Sequence, residues 1–192
     1  MHWSDEGYLL SKNNFNENSI LIETFTFEHG KYTGIVYGGS SRKQKKNFQV
    51  GNKILLNWKS KNENKTGYFN VELLEPIAPL FFDNKKKSVC ILSATSILKI
   101  LLPERETNKK IYNSFEKMLN DLRLNNWIEF YINWELSLIK DLRFEDNVNF
   151  LDRKNIKESL SFNKKLLMEN FIIPNRLKFP LFRNILENYF KE

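Results

Sequence analysis

Residues 19–38 read SILIETFTFEHGKYTGIVYG: two runs of β-branched, aromatic and leucine residues, SILIETFT and KYTGIVYG, parted by FEHG. Such runs suit a pleated, half-buried surface, and the break assigns His29 to a tight turn. Three segments of the same texture flank them: EGYLLSK (6–12), KILLNWK (53–59) and GYFNVELLE (67–75). In the last, Tyr68, Asn70 and Glu72 alternate with Phe69, Val71 and Leu73. That is the period of a strand with one wet face and one dry one. NNFNEN, a glycine-flanked basic stretch and SKNENKTG supply the remaining breaks. Five short strands with regular turn signals predict a small closed sheet, a Greek-key barrel of the OB type.

After Glu75 the texture changes. Pro76 and Pro79 in PIAPLF mark a boundary, and the apolar spacing beyond it is helical. SVCILSATSILKILL stops at Pro103; Ile111, Phe115, Met118 or Leu119, and Leu122 then keep three- and four-residue steps. In WIEFYINWELSLIKDL, Trp127, Tyr131, Trp134 and Leu138 share one face, with Ile128, Glu135 and Ile139 beside it. Residues 146–160 show no clear period, and NKKLLMENFIIPN and PLFRNILENYFKE read as two closing helices, the second with Pro180 near its first turn. The expectation is an α+β, two-domain chain: an OB-type nucleic-acid-binding domain over residues 1–78 and an all-helical domain over 79–192.

Composition narrows the function classes. With 192 residues, 41% of them hydrophobic and 28% charged, the chain has material for a core. No apolar run approaches membrane length, and MHWSDEGYLL carries acids where a secretory leader needs a basic start. A cytoplasmic, non-membrane protein is expected. Cys90 is alone and sits in an apolar run, so it reads as a small buried hydrophobe. One cysteine with only His2 and His29 cannot build a structural zinc site. There is no phosphate-binding glycine loop, no G-x-S-x-G turn and no histidine pair. Asp5–Glu6 and Glu104–Glu106 read as solvated neighbours. Neither an enzyme nor a cofactor is expected.

Binding chemistry is concentrated in one place. Residues 37–52, YGGSSRKQKKNFQVGN, hold Arg42, Lys43, Lys45 and Lys46 with no carboxylate among them. The net charge of +7 has a bland source in lysine-rich composition, but clustering does not. Lys53, Trp58, Lys59 and Lys61 follow, and Glu63 is the only acid between Arg42 and Lys65. On an OB-type groove, cations follow phosphates and aromatics stack on bases. OB barrels usually carry a helix between the third and fourth strands, and this stretch is a poor helix. Either the barrel lacks its plug or the helical domain covers that end.

WSDEGYLLS, FTFEHGKYTGIVYGGSSRK, LLPERE and WIEFYINWELSLIKDLRF occur in the order and spacing of the RecO family, and MENFIIPNRLKFPLFRNILENYF resembles its closing helices. The resemblance implies an OB domain followed by a helical one. It implies binding of single- and double-stranded DNA, annealing of complementary strands, and help in loading the recombinase RecA. RecR and the acidic, phenylalanine-ended tail of single-stranded DNA-binding protein would be its partners. Lys31, Arg42 and Lys43 match the family's DNA-contacting cations best, then Lys45 and Lys46. Arg105, Lys109, Lys110, Arg123 and Lys140 supply charge for an acidic tail. Two departures stand out: the cysteine cluster that holds zinc in many members is missing, and the chain is short, with 146–160 where a segment would have been lost. Two rival readings remain open, an OB module serving RNA and an adaptor whose helical domain carries the interaction.

Overall fold

The computed structural model of the chain describes residues 1–41, 44, 47–62, 66–143 and 155–191. Five strands come first: β1 (His2–Asn14), β2 (Ser19–Thr26), β3 (Gly30–Tyr37), β4 (Lys53–Lys59) and β5 (Gly67–Glu75). A 3₁₀ turn, Ala78–Phe81, leads into the helices α1 (Lys85–Leu101), α2 (Lys109–Asp121), α3 (Trp127–Arg143), α4 (Ile156–Leu167) and α5 (Leu181–Asn188). The strands close into a barrel in the order β1-β2-β3-β5-β4. All neighbours are antiparallel except β3 and β5, which pair parallel through Gly34↔Gly67 and Ile35↔Tyr68. This is the OB connectivity expected from the sequence.

The two glycines make that closure possible. A Cβ on Gly34 would lie 2.5 Å from the Phe69 ring, and one on Gly67 would lie 2.2 Å from Trp58 Nε1. Only bare backbones let the seam shut over large interior rings.

Alternation sorts the barrel's side chains into two apolar clusters. Leu9, Ile20, Ile22, Val36, Ile54, Leu56, Trp58 and Phe69 fill the interior, and Phe48 joins them from the β3–β4 connection. Phe48 is therefore the plug, and the helices cover the outer wall. Tyr8, Leu10 and Phe25 point outward into a second cluster with Ile91, Ile97, Tyr112, Phe115 and Trp134 of the helices. β1 is thus buried on both faces over Gly7–Leu10, and it runs from His2 to Asn14, past both ends of the EGYLLSK read from the sequence, where its added residues are mostly polar or exposed.

The expected face of α3 is the buried one, with Trp127, Tyr131, Trp134 and Leu138 all at 8% exposure or less. Three helices open on an asparagine N-cap: Asn84 accepts from Lys87 N, Asn108 from Ile111 N and Asn155 from Glu158 N. The last corrects the aperiodic reading of 146–160. Asn155 and Glu158 form a reciprocal capping pair, since Asn155 Nδ2 also donates to Glu158 Oε1 at 2.8 Å. α4 therefore begins at Ile156, and Leu160 is fully buried. Residues 144–154 lie outside the described ones.

Candidate nucleic-acid interface

Arg42, Lys43, Lys45 and Lys46 lie outside the described residues, but both flanks of their segment are anchored. Ser40 Oγ donates to the Glu17 carbonyl at 2.8 Å, tying the segment to the β1–β2 turn. On the far side Phe48 is sunk in the barrel, and Gly51 N donates to Leu9 O at 2.8 Å. Buried Asn52 finishes the anchor, accepting from Ala78 N and donating to Asn47 O. Between the β1–β2 hairpin and this segment lies a cleft of about 340 Å³ lined by Lys12, Asn13, Asn14, Ile20, Gly39, Ser40 and Phe48. Its mouth offers the side-chain amides of Asn13 and Asn14 and the ammonium of Lys12, groups able to donate to phosphate oxygens.

The remaining candidates divide sharply. Lys59 and Lys61 are exposed. Lys31 is buried, with Nζ donating to Lys99 O at 2.9 Å near the C-terminus of α1 and lying 3.8 Å from Glu104. That position is a cation on a helix's negative end, and it leaves Lys31 away from the barrel's solvent face. Lys53 is clamped between Glu6 at 3.0 Å and Glu116 at 2.8 Å. Burial opposes its charge, but these two carboxylates hold its pKa above the ordinary lysine value. Trp58 is 3% exposed inside the barrel, stacked on Trp3 at 5.6 Å, and presents no face to a base. The structure thus places Lys31, Lys53 and Trp58 in the framework. Sequence spacing does not separate a barrel's inner face from its outer one when both carry aromatics.

Sequence reading passed over Tyr37 and Tyr68. They stack on each other with centroids 5.0 Å apart and planes 21° from parallel, yet are 64% and 43% exposed. The neighbouring Tyr68 hydroxyl raises the Tyr37 pKa above the ordinary tyrosine value. Lys59 is the register partner of Tyr68 and shares its outer face. Tyr37 is the last residue of β3 and leads directly into the basic segment.

The acids near the turn at His29 are structural as well. Asp5, read as solvated, is buried. Its carboxylate accepts from Glu6 N, Glu28 N and His29 N and contacts His29 Nδ1 at 2.9 Å. Beside that turn, Gly30 has φ +73°, and a Cβ there would sit 2.0 Å from the Glu106 carbonyl oxygen. Arg105 N donates to Lys31 O at 2.8 Å. The segments WSDE, FEHGK and PERE therefore converge on one turn.

Two further clefts border the helices. One, of about 260 Å³, has Glu106 and Asp141 among its walls. The other, of about 290 Å³ between barrel and α1, is lined by Lys12, Gln49, Val50, Ala78, Phe82, Ser88, Ile91 and Leu92. Of the cations expected near an acidic partner, Lys109 pairs with Glu28 at 2.7 Å, Lys110 with Asp141 at 2.6 Å, and Arg105 lies over the Tyr32 ring.

Comparison with known proteins agrees with this architecture. The family model described as "Recombination protein O N terminal" matches residues 1–77. A DNA repair protein RecO from Wolbachia sp. subsp. Drosophila simulans is 31% identical over 164 residues, 84% of this chain and 68% of that protein. A Wolbachia pipientis subsp. Culex pipiens relative is 30% identical over 84% of this chain and 67% of its own length. One from Cereibacter sphaeroides is 33% identical over 163 residues, 84% of this chain and 67% of that protein. With at least 30% identity over about two thirds of these relatives' length, the chain belongs to the RecO family of DNA repair proteins.

Proposed function

We propose that this chain is a non-enzymatic DNA-binding protein of recombinational repair that anneals complementary strands. The observation that carries the reading is the one-signed charge of the β3–β4 connection in the sequence. Four cations and no acid lie between Tyr37 and Asn52, and both ends of that segment are pinned to a closed OB-type barrel. Arg42, Lys43, Lys45 and Lys46, with Lys59 and Lys61, form the phosphate-facing set. Annealing needs no more than this: neutralising phosphates on two strands removes the repulsion that keeps them apart. In the cell the chain would act with RecR and single-stranded DNA-binding protein to load RecA, in the cytoplasm at the nucleoid. Among the described residues no helix is long and apolar enough to cross a membrane.

The test is annealing of complementary oligonucleotides by the purified chain without ATP, alongside binding titrations at several salt concentrations. Contact with four to six phosphates predicts a log–log salt slope of about −3 to −4 on single strands. Replacing Arg42, Lys43, Lys45 and Lys46 with alanine should flatten that slope and slow annealing. No acceleration of annealing and a slope near zero would overturn the reading. Stronger binding to RNA than to DNA of the same sequence would favour an RNA-serving module.

A further inference from the structure

We propose that Tyr37 and Tyr68 form a stacking platform for unpaired bases. The inference rests on the nucleic-acid reading and names the part of that site that recognises bases.

Exposed apolar residues scattered singly need no explanation, but ones that meet in a patch do. Here two tyrosines from different strands meet face to face on the barrel's outside, at 5.0 Å and 21°, with Tyr37 64% exposed. Neither contributes to the buried clusters of the barrel or helices. Their positions are nonetheless rigid. Tyr37 is held in the ladder opposite Ser19, and Tyr68 is held between Ile35 and Lys59. A base laid on the open side of Tyr37 would lengthen an existing stack at little ordering cost, and every base has a π-face to offer.

Charge fixes the occupant. Lys59 shares the outer face with Tyr68, Lys61 lies two residues further along the chain, and the basic segment starts immediately after Tyr37. An apolar pair with Lys59 on the same face suits a single strand, which supplies flat rings to stack and phosphates for the cation. Cations act on single and double strands alike; stacking needs a base out of its helix. The two halves of the site therefore do different jobs. Lys59 and Lys61 add affinity, and the tyrosines set discrimination.

The experiment compares a fluorescent oligo(dT) with an abasic strand of equal length and charge, bound to the full chain. Wild type should bind oligo(dT) about tenfold more tightly than the abasic strand, within the range for base–aromatic stacking. The double variant Tyr37→Ala, Tyr68→Ala should bind both strands with the weaker, abasic affinity. The variant Tyr37→Phe, Tyr68→Phe should keep the difference, because rings rather than hydroxyls stack. Equal binding of the two strands by wild type would overturn the proposal. So would an alanine variant that loses affinity on both strands equally, or on neither. If wild type binds no DNA at all, the nucleic-acid reading itself falls. If it binds with loop-dependent affinity that ignores the tyrosines, only the platform does.

Discussion

At the scale of single residues, a large energetic stake lies in a buried ion pair among the helices. Arg183 of α5 and Glu135 of α3 are both fully buried. Nη2 donates to Glu135 Oε2 at 3.0 Å and to Leu160 O at 2.7 Å, while Tyr131 donates to Glu135 and meets Ser93. Burial works against the guanidinium charge, but Glu135 and Tyr131 keep its pKa above the usual arginine range. One ion pair thus joins α1, α3, α4 and α5. A desolvated charge left without its partner costs about 3–5 kcal/mol, whereas an apolar replacement of both partners is close to neutral. Glu135→Leu should accordingly lower the urea-unfolding free energy by about that amount, and adding Arg183→Leu should recover much of it. Equal losses in the single and double variants would show that packing, not charge, holds this junction. Cys90 lies in the same region, where burial and then the Glu135 charge push its thiol pKa well up; reaction with a thiol reagent should be slow until the chain unfolds.

At the scale of elements, barrel and helices are coupled through Glu116 of α2, whose Oε1 accepts from Tyr8 and Lys53, both at 2.8 Å. Burial alone would raise the Glu116 pKa; the hydrogen bonds from Lys53 and Tyr8 win and lower it from the ordinary 4.5. The folded value is depressed, so the contribution is present above pH 4.5 and is lost as pH falls through the folded pKa. Glu116→Gln should be less stable than wild type near neutrality, and the gap should narrow on acidification below about pH 4.5. A gap constant over that range would assign the contact to shape alone. The strands and helix faces were legible in the sequence because each has one dry face, as β5 and α3 illustrate. Most of what stayed hidden depends on two elements at once. Two misses were local instead: the ends of β1 are mostly polar or exposed, and the cap of α4, Asn155 with Glu158, stands beside the helix it opens. Lys31, Lys53 and Trp58 looked like ligands because the side chains that occupy them, such as Glu116, come from distant positions. Tyr37 and Tyr68 escaped because a parallel closure of β3 on β5 leaves no mark in either strand alone.

At the scale of the molecule, the cluster shared by Tyr8, Leu10 and Phe25 with the helices makes barrel and bundle one packed body, and it shapes where a second partner can dock. The proposed acidic, phenylalanine-ended tail of single-stranded DNA-binding protein needs an apolar cleft rimmed by cations. The cleft walled by Glu106 and Asp141 has the wrong charge for it. The cleft between barrel and α1 suits it better: Phe82, Ile91 and Leu92 supply apolar wall and Lys12 is the charged residue of its lining, while α1 beside it opens with Lys85, Lys86 and Lys87 after Asp83. Lysines at a helix N-terminus oppose its dipole, and an anionic partner relieves that cost. A peptide ending in the acidic tail should therefore bind the full chain, and removing its terminal phenylalanine should weaken binding about tenfold or more, as expected for one buried aromatic anchor. Phe82→Asp should abolish the difference between the two peptides without unfolding the chain, since Phe82 is 59% exposed. The full chain is required, because the cleft takes Gln49 and Val50 from the barrel side. Equal binding of both peptides would reduce the contact to unspecific charge attraction, and a Phe82→Asp variant that still distinguishes them would move the site elsewhere.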